Sequence, residues 1–351
     1  MELALYAPGL GYYMAGASKL GQGGDFITAP EVSMLFGGCV ARQCAQVLGA
    51  LGSGGILEVG AGSGRLAADV LRRLASLDRL PEHYWILEVS PDLRERQQDL
   101  LRREIPALVD RVGWLDAPPE AFQGVLLANE VLDALPVSCF RWKEGAVMER
   151  GVEPVGSGFR WAERPASPAM QVRCQELFEA AGRSWPEGYQ SEYCPRLPAL
   201  TAELTRGLRR GLALWIDYGL PRSQYYLAER VEGTLVAHFR QRMILDVLCC
   251  PGLMDLTAWV DFTALAEAGV AAGFEIAGFS TQGHFLAGCG LDAEMQALAG
   301  GDARRHARLA GEAKQLMLPG EMGERFKVMG WEKGVEGPWM GFGIRDLTCS
   351  L

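Results

Sequence analysis

The chain has 351 residues, 49% hydrophobic and 22% charged, with a formal charge of −9. That length suits one large domain or two modest ones, with a core that needs no disulfide staples. The acidic balance excludes a general nucleic-acid binder, which carries a basic footprint, but is compatible with a local acidic pocket that draws cations. No run approaches the roughly 18 consecutive apolar residues of a membrane span, so no membrane role is expected. The first nine residues, Met1 to Gly9, lack the basic and apolar regions of a signal peptide. Nine cysteines without a CxxC pair, beside only four histidines, point to reduced thiols, no metal site and a cytoplasmic location.

In chain order, residues 1–50 are expected to form an N-terminal lid and helix, followed by a core over 51–351. Apolar runs at Ile56–Val59, Tyr84–Val89, Val125–Ala128 and Leu212–Ile216 read as buried strands. Between them lie helical spacings such as Leu66-Ala67-Val70-Leu71-Leu74 and Leu93-Gln97-Leu100-Leu101. That alternation predicts an α/β fold with a parallel sheet covered on both faces. Three stretches break it and are expected as insertions, at about 137–198, 220–261 and 286–337. The first contains a predicted hairpin turning at Gly156-Ser157-Gly158, and the last is helical and then rich in Met and Gly.

The sharpest local signal is Glu58-Val59-Gly60-Ala61-Gly62-Ser63-Gly64-Arg65, between a predicted strand and helix. Glycines there permit positive φ and let a ligand approach the backbone. Arg65 stands where a dinucleotide fingerprint needs glycine, so the pattern is ExGxGxG. That form is typical of the first motif of class I S-adenosylmethionine-dependent methyltransferases, which makes Glu58, Gly60, Gly62 and Gly64 candidate cofactor residues. Glu88 ends the second strand, where a carboxylate can accept both ribose hydroxyls. Asp116, after the third strand, is placed to approach an adenine amino group, or is an exposed loop acid.

The fourth strand runs into Asn129-Glu130-Val131-Leu132-Asp133-Ala134-Leu135-Pro136. Methyl transfer is an in-line displacement, so a site mainly has to align nucleophile, methyl carbon and sulfonium. A guanidinium acceptor needs more, because it is cationic until a proton leaves. Glu130 and Asp133, at i and i+3, present two carboxylates to one point if the segment turns helically. Asn129 completes the catalytic candidates. The alternatives are that Asn129 binds the methionine end of the cofactor and that Asp133 caps a following helix.

These segments resemble the MidA-type methyltransferases, whose mitochondrial member is a complex I assembly factor that dimethylates an arginine. The resemblance rests on Gly11-Tyr12-Tyr13, Gly24-Asp25-Phe26-Ile27-Thr28-Ala29-Pro30-Glu31, the ExGxGxG loop and Asn129 to Pro136. It continues through Ile216-Asp217-Tyr218-Gly219, Gly233-Thr234-Leu235, Asp255-Leu256-Thr257-Ala258, Val260-Asp261-Phe262 and Met322 to Lys327, and so covers nearly the whole chain. It implies a class I, Rossmann-like, seven-stranded and mostly parallel sheet with helical and β insertions. It also implies S-adenosyl-L-methionine as cofactor, with S-adenosyl-L-homocysteine as product, and Thr28 and Glu31 closing over it. Asp25 and Glu31 would make the pocket more negative.

The expected function is N-methylation of a protein arginine side chain. Alternatives are a small-molecule acceptor at the same cofactor site, or a non-catalytic assembly factor that binds the cofactor. The partner is then a protein with an exposed arginine or a small molecule, with a homodimer possible and no nucleic acid. Gln241, Ile244, Asp246-Val247 and Trp259 depart from the family pattern on the expected acceptor side. The resemblance also implies a further N-terminal segment ahead of Leu3-Ala4-Leu5-Tyr6.

Overall fold

A computed structural model describes residues 1–14, 28–240 and 242–351. The expectations for Asp25, the rest of Gly24 to Ile27 and Gln241 lie outside the described residues. The first helices are α1 (Glu2–Tyr6), the short α2 (Ala29–Val32), α3 (Met34–Leu51), α4 (Arg65–Ser76) and α5 (Pro91–Glu104). The first four strands are β1 (Gly55–Val59), β2 (Tyr84–Leu87), β3 (Val112–Leu115) and β4 (Phe122–Asn129). All five residues of β1 are buried, as continuous apolar strands are when both sheet faces are covered.

Next come β5 (Ser138–Lys143), β6 (Ala146–Val155), β7 (Gly158–Pro165) and β8 (Gln190–Tyr193), then the long β9 (Leu208–Leu220). The remaining strands are β10 (Val236–Phe239), β11 (Arg242–Ile244), β12 (Asp255–Thr257), β13 (Val260–Asp261), β14 (Glu275–Thr281) and β15 (Phe326–Lys333). The main sheet runs β3-β2-β1-β4-β9-β15-β14, and β13 pairs alongside the end of β9. Strands β1 to β4 and β9 pair in parallel, while β15 is antiparallel to both neighbours. This is the expected Rossmann-like sheet.

Helices α3 and α4 cover one face, where Phe36, Val40, Leu66 and Leu71 share a core with Ile56 of β1. The other face packs Trp215, Phe262, Leu265 and Trp331, with helices Leu197–Thr205 and Phe262–Ala271 laid over it. By length and composition alone α3 could cross a membrane, although its sequence holds no unbroken apolar run of that length. Its Phe36, Cys39, Val40, Cys44 and Val47 are nonetheless buried in the main core.

At the amino ends of three adjacent strands, Gly55, Gly124 and Gly211 stand side by side in register. A Cβ on Gly124 would strike the Gly55 carbonyl, and one on Gly211 would strike that of Gly124. The row lets these backbones lie close together at this end of the sheet.

The irregular segments build two smaller sheets. Strands β7-β6-β5-β8 form an antiparallel sheet containing the expected hairpin, over a core of Phe140, Trp185, Tyr189 and Tyr226. Strands β11-β10-β12 form another, against which Leu5 of α1 and Tyr12 beyond it pack. Two expected insertion spans take in parts of the main sheet. The span 286–337 includes β15, and 220–261 includes β13. The glycine and methionine content of 317–330 hid β15 as a strand, although Met329 and Trp331 are core residues.

Candidate active site

At the carboxyl end of β1 the chain turns through Gly60, Gly62 and Gly64, with φ of 63°, 55° and 85°, before α4 begins at Arg65. Side chains rarely adopt that backbone region, which explains glycine at alternate positions. Gly60 also lies close to Val131, where a Cβ would come within 3.4 Å of its side chain. Glu58 does not face this loop. It is buried and accepts a hydrogen bond from the Tyr84 hydroxyl at 2.6 Å, so the structure puts it beneath the site rather than in it. Burial raises its carboxyl to about 7.

Glu88 lies at the mouth, just past β2, and is buried. Its Oε1 accepts from the Ser90 amide at 3.0 Å and its Oε2 from Gln97 Nε2 at 3.2 Å. A carboxylate has about four lone-pair positions, so two bonds leave it able to take further donors. Burial pushes its carboxyl up. Asp116, the candidate for the adenine amino group, is turned outward. Its side chain is 93% exposed and held by Arg94 at 2.7 Å, which fits the exposed-acid alternative.

Helix α2 docks across the crevice. Glu31 takes a short hydrogen bond from Ser63 in the glycine loop, and the Ala29 amide donates to Glu130 Oε1 at 3.4 Å. Thr28 is the residue before the first turn, without a side-chain capping bond. These two contacts bring residues 28–31 against both the glycine loop and the end of β4.

Asn129 and Glu130 close β4. Asn129 Nδ2 donates to Glu130 Oε1 at 3.0 Å, while its buried Oδ1 has no hydrogen-bond partner among the described residues. Glu130 has φ of +54°, and its amide donates to Ile216 O at 2.8 Å. Burial first, and then Asp133, raises its carboxyl to about 8. Asp133 is buried and accepts from the Tyr218 hydroxyl at 2.6 Å. The segment turns at 132–135 without forming a helix and leads into β5. The helical i, i+3 geometry is therefore corrected, and Asp133 has no helix to cap.

Several residues absent from the sequence-based candidates complete the site. Asp217, at the end of β9, receives the amides of Val131, Leu132 and Asp133 at 3.2, 2.9 and 3.3 Å. Burial and the Asp133 and Glu130 carboxyls raise it, while the Leu132 and Tyr218 amides pull it back. Tyr13 donates to Asp255 Oδ2 at 2.8 Å and stacks on Tyr6, whose hydroxyl donates to Ala134 O at 2.9 Å. Both tyrosine hydroxyls are raised by burial first and then by Asp133 and Asp255. The signal for Asp217 was an acid ending an apolar strand, as Glu88 ends its own. Tyr6 and Tyr13 lie in segments that carry the family resemblance, but nothing local gave them a place in the site, since 242 residues separate Tyr13 from its partner.

An α/β sheet with a glycine turn after its first strand, an acid after its second and the antiparallel β15 defines a class I methyltransferase. The family of S-adenosyl-L-methionine-dependent methyltransferases matches over residues 39–280, and the chain belongs to it. S-adenosyl-L-methionine is its cofactor, and this site fits it: the turn after β1 is made of glycines at positive φ, and among the described residues Asn129 Oδ1 is a buried acceptor lacking a donor.

A relative from Danio rerio, protein arginine methyltransferase NDUFAF7, mitochondrial, is 30% identical over 93% of this chain and 81% of its own length. Its Mus musculus counterpart is 31% identical over 93% and 78%. A crystal structure of a superfamily member from Burkholderia thailandensis with bound S-adenosyl-homocysteine is 40% identical, with a TM-score of 0.94. The match covers 100% of this chain and 90% of that one. The mitochondrial relatives overturn the cytoplasmic location expected from the cysteines. Free thiols report a reducing milieu, which is not an address.

Proposed function

We propose that the protein methylates the guanidinium of an arginine side chain in a partner protein. The observation that carries this reading is the enclosed acidic cluster at the ends of β4 and β9. There Glu130, Asp133 and Asp217 gather, and Tyr6, Tyr13 and Tyr218 sit beside them with Asp255. Buried carboxyls without a cation are costly, and those of Glu130 and Asp133 answer by titrating upward. An incoming guanidinium would let them ionise and would be gripped by them. The tyrosine rings offer faces for its planar group. The naming of the relatives as protein arginine methyltransferases supports the same acceptor.

In this reading Gly60, Gly62 and Gly64 cradle the cofactor and Glu88 takes its ribose hydroxyls. Asn129 Oδ1 accepts from its ammonium group, and Thr28 and Glu31 close over it. The cofactor supplies an electrophilic methyl group carried on a sulfonium. Glu130 and Asp133 hold the guanidinium so that one nitrogen faces that methyl, and they localise the positive charge on the other two. As the nitrogen gains the methyl it loses a proton, which the ionised Glu130 is placed to accept. Asp217 holds the 131–133 backbone and so keeps the two carboxyls in place.

The test is incubation with methyl-labelled cofactor and a lysate of the source cell, followed by acid hydrolysis. Label in methylated arginine is expected, and label only in small molecules, or none transferred, overturns the assignment. Glu130→Gln should lower turnover roughly 100-fold while S-adenosyl-homocysteine affinity stays within a few-fold.

A further inference from the structure

Gln97 lies in the middle of α5 and is completely buried. Its amide is fully engaged. Nε2 donates to Gly62 O at 3.0 Å and to Glu88 Oε2 at 3.2 Å, and Oε1 accepts from Trp114 Nε1 at 2.9 Å. One side chain thus joins the glycine turn after β1, the acid after β2 and the indole on β3. Its Cα lies where a Cβ on Gly64 would come within 3.4 Å, so α5 is seated directly on the turn. Glu88 holds its other bond through the Ser90 amide, at the capping residue of the same helix. Both restraints on the carboxylate therefore come from α5 and its first turn.

We propose that Gln97 is a positioning residue for the cofactor's ribose. It fixes which lone pairs of Glu88 face the crevice, and it sets the distance from that carboxylate to the glycine turn. This rests on the reading that Glu88 takes the ribose hydroxyls. A carboxylate restrained from one side on each oxygen keeps its remaining lone pairs in a set direction. Two adjacent hydroxyls can then be met together without ordering the acid on binding.

The experiment is calorimetric binding of S-adenosyl-homocysteine and its 2′,3′-dideoxyribose analogue to the whole chain, wild type and Gln97→Met. Methionine keeps the volume and removes all three hydrogen bonds. The wild type should prefer the hydroxylated ligand by about 100-fold, the value of one to two hydrogen bonds to a charged group. Gln97→Met should reduce that preference to a few-fold while binding the analogue almost unchanged. If the variant keeps the full preference, or weakens toward both ligands equally, Gln97 only packs and the proposal is overturned. A wild type indifferent to the hydroxyls overturns instead the assignment of Glu88 itself. Should Gln97→Met not fold, Gln97→Asn makes the same comparison, because its shorter amide cannot reach Glu88 and Gly62 together.

Discussion

Glu130 illustrates how much of the site a single residue can reveal and how much it conceals. Its place at the end of an apolar strand beside Asn129 and Asp133 made it a candidate from sequence. Its backbone could not be foreseen: a non-glycine residue at φ +54° is set by the bond from its amide to Ile216 O, across the sheet. Left-handed backbone costs a residue with a Cβ about 1–2 kcal/mol. Glu130→Gly should therefore be more stable than Glu130→Ala by about 1 kcal/mol in denaturant unfolding, although both lack the carboxylate. Equal stabilities would show that the backbone is not strained there. Gln97 is the opposite case. Its spacing marked it as part of a helix's buried face, and a glutamine at an apolar position was the available clue. Its partners at Gly62 and Trp114 depend on the tertiary fold alone.

Among the elements, the β1 turn was legible because glycines at alternate positions report backbone that other residues avoid. Gly62→Val should abolish S-adenosyl-homocysteine binding by calorimetry, since a β-branched side chain at φ of 55° strains the turn proposed to cradle the cofactor. Near-normal affinity would refute the cradle. Helix α2 was the element least visible to residue chemistry. It has only four residues, and what gives it meaning is that Glu31 reaches Ser63 while the Ala29 amide reaches Glu130. β15 was missed because Gly330 and Met329 weaken a strand pattern, yet they suit a strand flanked on both sides, with Phe342 packed where a larger residue than Gly330 would stand.

For the whole molecule, the alternation of apolar strands and helices was enough to foresee the sheet, whereas the small sheets depend on pairings no local pattern encodes. The buried acids make a global prediction. Glu58 and Glu130 titrate near 7 and 8 when folded, above the ordinary carboxylate range, so the folded protein binds more protons than the unfolded chain over that interval. Their contribution is complete below about pH 4.5 and is lost as pH rises through 7 to 8. Without ligand, the melting temperature should fall between pH 5 and 8, by up to about 1.4 kcal/mol of stability per pH unit for each group. Glu58→Gln and Glu130→Gln should each flatten the decline, and an unchanged slope would show that those groups do not carry it. The row of Gly55, Gly124 and Gly211 has a different consequence, because it lies at the end of the sheet away from the crevice. The chain thus contains two populations of irreplaceable glycines, one serving recognition and one serving assembly. Mass action from added nucleoside can rescue a weakened binder, but it offers nothing to a barrier of three ribbons that cannot draw together.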